Sequence, residues 1–128
     1  MNVLFVMVGG FLGAVSRFTL GEWIHYENGF PLGTFLINLI GCFLLGWFLT
    51  FISFHKNSKQ EFTLFIGTGF IGSFTTFSTF SVETVLLFQN GHAIVGILYV
   101  LTSIFGGLFL AYFGYKIAVT NREEGETQ

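Results

Sequence analysis

Charged side chains divide the sequence into four long apolar runs. The first covers residues 3–20 and is uncharged until Arg17. The second covers residues 32–54, begins just after Pro31 and ends at the segment HKNSK. The third covers residues 62–88 and carries a single charge, Glu83, near its end; the fourth covers residues 93–115, follows the turn signal QNGH and stops at Lys116. About 20 apolar residues in a helix cross the ~30 Å hydrocarbon core of a bilayer, so the pattern predicts four membrane-spanning helices in a single domain. Pro31 suits the first turn of the second helix. The tail, residues 116–128, is polar, and its last eight residues, NREEGETQ, are expected to fray.

Polar positions inside these runs carry more information than the runs themselves. Asn38 lies early in the second span, and Thr34 lies one helical turn before it, so the two form a polar stripe on one face. An amide at membrane depth faces either a neighbouring helix or an aqueous path. In the third span, Gly67, Gly69 and Gly72 precede Thr75, Thr76, Ser78, Thr79 and Ser81, which alternate irregularly with Phe74, Phe77 and Phe80. Phenylalanines at 70, 74, 77 and 80 follow a helical spacing, and alone would read as a packing stripe. Five hydroxyls within seven residues exceed what contact with lipid tolerates, and they point to an interruption of the helix near 72–75. A break there frees backbone carbonyls, which must then be satisfied by protein, water or an ion. Ring edges of phenylalanine carry the positive part of the ring quadrupole. Together with hydroxyls and an amide they can replace the hydration shell of a small anion through many weak contacts.

Composition agrees with a membrane setting. Of the 128 residues, 52% are hydrophobic and 9% charged, against about 25% charged in soluble domains. Mean hydropathy is +0.74. A net charge of −2 with five scattered basic residues provides no footprint for nucleic acid. One cysteine, Cys42, excludes an intrachain disulfide, and His25, His55 and His92 fall one to each connecting segment, where they read as interfacial residues. No basic segment precedes the first apolar run, which reads as a span rather than a signal peptide. Glycine occurs 17 times; Gly9–Gly13 and Gly69–Ser73 have the small-xxx-small spacing of closely packed membrane helices. No internal repeat is evident. Lys56, Lys59, Lys116 and Arg122 fall on the side of the termini, against Arg17 near the other side, and basic residues favour the cytoplasm. Arg17 either snorkels to the interface or attracts anions at a vestibule.

Three stretches resemble the Fluc/CrcB family of bacterial fluoride channels: GGFLGAVSRF at 9–18, GTFLINLIGCFLLG at 33–46, and GFIGSFTTFSTFSVE at 69–83. They occur in the family's order, while the fourth span matches only in position and character. The resemblance implies an all-α membrane protein of four transmembrane helices with a break in the third. It further implies an antiparallel, dual-topology homodimer in a bacterial inner membrane, with pores along the dimer interface. The fluoride path would take Asn38, Thr34, Phe77 and Phe80, with Thr76, Ser78 and Thr79 around them, and Arg17 would stand at the vestibule. A structural sodium ion would be held by backbone carbonyls of Gly72 and Thr75. Gly107 stands where the family often has a hydroxyl, and Ser103, one turn earlier, takes that role here; Ser73 replaces a common glycine.

The implied activity is passive, selective export of fluoride, without catalysis. No nucleophile has a base at a suggestive spacing. A second reading is a small four-span, proton-coupled exporter of organic cations. That chemistry requires a carboxylate inside the membrane, and the one candidate, Glu83, reads as interfacial. A third is an assembly subunit in which the hydroxyl-rich run serves only packing.

Overall fold

The computed structural model describes residues 2–24, 29–55 and 58–126; His25 and Lys56, both weighed above, lie outside them. Helix α1 spans Asn2–Trp23 and α2 spans Leu32–Phe54. Helix α3 occupies residues 60–74, followed by a short extended break, α4 (Ser78–Gln89) and α5 (Ala93–Glu126). Four stretches are long and apolar enough to cross a membrane, with α3 and α4 together forming the third. Large apolar side chains are exposed along the helices, as for Phe11, Phe18, Ile94 and Phe105, in keeping with a lipid-facing surface.

Close backbone approach organises the bundle. Gly9 and Gly13 of α1 lie against the backbone of Phe65 and Phe70, where any Cβ would collide. Gly69 of α3 faces Val6 and Gly10 in return, and the Ser73 hydroxyl lies beside Gly10. The two small-xxx-small stretches seen in the sequence therefore face one another, which is how apolar helices gain packing in a bilayer. A second pair forms between α2 and α5, where Gly46 lies on the backbone of Ala111 and Gly114 on that of Phe43. Helix α4 leans on α5, and α2 joins the two pairs.

Helix α3 is wider than the sequence indicates. Its central part, Leu64–Ile71, is π-helical, and the Gly72 amide donates back to the Gly67 carbonyl. Such wide turns are uncommon and concentrate at functional sites. The break falls at residues 75–77, at the end of the expected segment. Gly72 itself is helical, with φ −61° and ψ −33°, and Thr75 turns extended at φ −78°, ψ 158°.

Two sequence expectations need correction. Phe77 and Phe80, which lie on the far side of the break, do not continue the stripe of Phe70 and Phe74. The Phe70 and Phe74 rings stack at 6.0 Å inside the bundle, and their helical spacing no longer applies beyond the break. The fourth spanning helix, α5, does not stop at Lys116 but continues to Glu126, through most of the segment expected to fray. At 34 residues it is about 51 Å long, well beyond the bilayer core. Its final turns dock on the end of α2, where the Arg122 guanidinium sits 4.6 Å over the Phe54 ring.

The turn between α4 and α5 is the one QNGH announces. Gly91 has φ +78°, and His92 N–H donates to the Leu87 carbonyl at 2.9 Å, closing α4 as a glycine-capped terminus.

Candidate functional site

The break is held open by the Asn38 side chain. Its Nδ2 donates to the Thr76 carbonyl at 2.9 Å, and its Oδ1 accepts from the Thr76 amide at 2.8 Å. A continuous helix would direct that amide to the Gly72 carbonyl. Asn38 therefore replaces a helical hydrogen bond with two bonds from α2. Among the described residues, no backbone N–H points at the carbonyls of residues 72–75. In hydrocarbon such oxygens need another partner.

Thr76 also starts α4. Its buried Oγ1 accepts from the Thr79 amide at 3.2 Å, as a helix cap does, and donates to the Thr79 hydroxyl at 3.0 Å. The Ser78 hydroxyl lies 3.3 Å away. Three of the five clustered hydroxyls thus form one network at the helix start, while those of Thr75 and Ser81 bond back to Ile71 and Phe77.

Two hollows meet at Thr76. The first is a groove of about 320 Å³ bordered by Asn38, Thr75, Thr76, Phe77, Phe80 and Ser103, with Cys42 alongside. Phe77 and Phe80 are 5.9 Å apart with their planes tilted by 38°. Phe77 is 79% exposed, so the groove is open on one side of the chain. The Ser103 hydroxyl is buried there without a hydrogen-bond partner among the described residues. The second hollow, about 450 Å³, is bordered by Arg17, Glu22, Thr34, Thr76, Thr79 and Glu83. The structure therefore gathers Asn38, Phe77, Phe80 and Ser103 on one side of Thr76, and Arg17, Thr34 and Thr79 on the other. Gly72 borders neither hollow.

Glu83 is tied into the bundle. Its Oε1 accepts from the Thr34 hydroxyl at 2.8 Å and its Oε2 from the Tyr99 hydroxyl at 2.9 Å, so one carboxylate ties α4 to α2 and α5. Tyr99 is fully buried, and its ring packs on Phe80 at 5.0 Å and edge-on to Phe30 at 5.5 Å. Sequence reasoning missed both roles. Glu83 lies one turn after Thr79 on α4, and so shares its face. A tyrosine in mid-span also needs a partner for its hydroxyl. Those were the available signals.

Residues 4–115 match the family described as CrcB-like protein, Camphor Resistance (CrcB). The chain belongs to that family. It is 56% identical over 123 residues to the fluoride-specific ion channel FluC of Oceanobacillus iheyensis, an alignment covering 96% of this chain and 95% of the relative. Identity to fluoride-specific ion channel FluC 1 of Bacillus cereus is 50% over 120 residues, covering 91% and 88%. Identity to the FluC of Acidobacterium capsulatum is 44% over 119 residues, covering 91% and 95%. The alignments span the break, both hollows and the greater part of α5.

Proposed function

We propose that this chain forms a fluoride-selective channel through which cytoplasmic fluoride leaves the cell down its electrochemical gradient, giving fluoride resistance. The observation that carries this reading is the groove at the break, where the Asn38 amide, the Thr75, Thr76 and Ser103 hydroxyls and the rings of Phe77 and Phe80 adjoin. Ser103 has a hydroxyl proton to donate, Asn38 a second amide N–H and the two rings their positive edges, and α4 begins at the same place with the positive end of its dipole. Many weak partners can strip a hydrated anion without trapping it. Arg17 then collects anions in the larger hollow, and Thr34, Thr76, Ser78 and Thr79 pass them toward Phe77 and Phe80. Fluoride needs no energy input, because one charge crossing 100 mV is worth ~2.3 kcal/mol, about fiftyfold in concentration.

The open side of the groove is covered, in this reading, by a second copy in antiparallel orientation, so that the functional unit is a dual-topology homodimer. The carbonyls of Gly72 and Thr75 face the need for a hard cation. Oxygen donors without N–H partners suit sodium, which would hold the broken helices of the two copies together.

The test is fluoride release from liposomes containing the purified protein, with a potassium gradient and valinomycin setting the voltage and a parallel chloride measurement. Rapid fluoride release without chloride release is expected. Glu83 gives the alternative, proton-coupled export of organic cations, its one foothold, since it is a carboxylate inside the bundle. Absent fluoride release, together with cation uptake that follows a pH gradient, would replace the channel by that exporter.

A further inference from the structure

A third hollow lies away from the break, between the first turns of α1 and the start of α3. It is a groove of about 920 Å³ bordered by Leu4, Phe5, Val8, Phe62 and Phe65, with Lys59 and Glu61 at its end. Leu4 and Val8 are 63% and 45% exposed, so the groove opens outward rather than into the bundle. Lys59 is exposed and Glu61 half-buried, and neither has an ion-pair or hydrogen-bond partner among the described residues, including each other.

An apolar groove within membrane-spanning helices that ends in one unpaired cation and one unpaired anion fits a molecule with an acyl chain and both charges. We propose that it is a binding site for an aminophospholipid with a primary ammonium, such as phosphatidylethanolamine. The acyl chain lies along Phe5, Val8 and Phe65, the phosphate meets Lys59, and the ammonium donates to Glu61. The position is chemically reasonable, because Lys59 precedes the first helical residue, Gln60, and so stands at the end of the span where headgroups lie. A half-buried carboxylate without a donor gains more from an ammonium with N–H groups than from a quaternary one. A purely anionic lipid would satisfy Lys59 and leave Glu61 facing like charge. This site is independent of the fluoride path.

The experiment is native mass spectrometry of the purified full chain after equilibration with equal amounts of phosphatidylethanolamine, phosphatidylcholine and phosphatidylglycerol. Retention of phosphatidylethanolamine about threefold above each of the others is expected, the scale of one exposed charge contact. In Glu61→Gln the preference over phosphatidylcholine disappears, and in Lys59→Ala retention of all three falls. Fluoride release from the same preparations reports that the variants are folded, since neither residue borders the proposed path. Equal retention of the three lipids, or a preference untouched by Glu61→Gln, overturns the proposal. So does efficient disulfide cross-linking of Val8→Cys between two chains in a Cys42→Ser background, which would mean a second copy fills the groove.

Discussion

Replacing Asn38 by alanine removes both bonds that hold the break and leaves the Thr76 amide and carbonyl unpaired. Each unsatisfied buried group costs about 1–3 kcal/mol. Asn38→Ala is therefore expected to lower thermal stability in detergent and to abolish fluoride release, whereas a residue that only lined the wall would affect release alone. Phe77→Ile and Phe80→Ile keep apolar bulk but remove the ring edge. Both should depress fluoride flux in liposomes, and Phe80→Ile should also lower stability, because Phe80 packs on Tyr99. Unchanged flux in both would count against the ring-edge contribution. Glu83→Gln converts one acceptor into a donor facing a hydroxyl that already donates. A loss of about 1–3 kcal/mol is expected in denaturant unfolding. Asn38 was legible as a polar group needing a partner. Its partner was not, because the Thr76 backbone becomes available only where the third helix breaks.

At the scale of elements, the glycine contacts set how closely the helices approach. Gly46→Val would drive a branched side chain into the Ala111 backbone and separate α2 from α5. Because the obstacle is backbone, rotamer adjustment offers no relief, and the loss should exceed the ~1–3 kcal/mol of ordinary overpacking. A lowered midpoint with weakened fluoride release is expected. Gly107→Ala is a milder case. It meets the Cys42 sulfur rather than backbone, so a small shift accommodates it. The four runs and the small-residue spacing were legible in the sequence. The π-helical segment was not, because one extra residue per turn leaves the composition unchanged. The length of α5 was also hidden, since its polar final turns depend on Arg122 reaching Phe54.

For the whole molecule, the open groove and the unpaired carbonyls lead to two expectations. In mild detergent, light scattering should give a protein mass of about twice 14.3 kDa. A single-chain mass that still conducts fluoride would remove the shared pore. Exchanging sodium for a large organic cation should lower the unfolding temperature, because the carbonyls of residues 72–75 would lose their proposed partner. An unfolding temperature indifferent to the cation would leave those oxygens to protein or water. Orientation belongs to the same scale. Lys59, Lys116 and Arg122 lie toward the end that carries both termini, and accessibility labelling of a cysteine placed in the tail tests whether the chain inserts both ways.

The sequence by itself determined the membrane setting, the number of spans, the existence of a break in the third and the residue types around it. Those follow from local quantities: run length, charge, and polar groups that hydrocarbon does not tolerate. The tertiary structure decided where the break falls, that Asn38 holds it, and that Thr76 separates a groove from a wider hollow. It also decided that Glu83 ties three helices together. Each of these depends on a hydrogen bond between residues at least 16 positions apart or on two helices meeting at glycine. Such partners are chosen by packing, which a one-dimensional pattern does not contain.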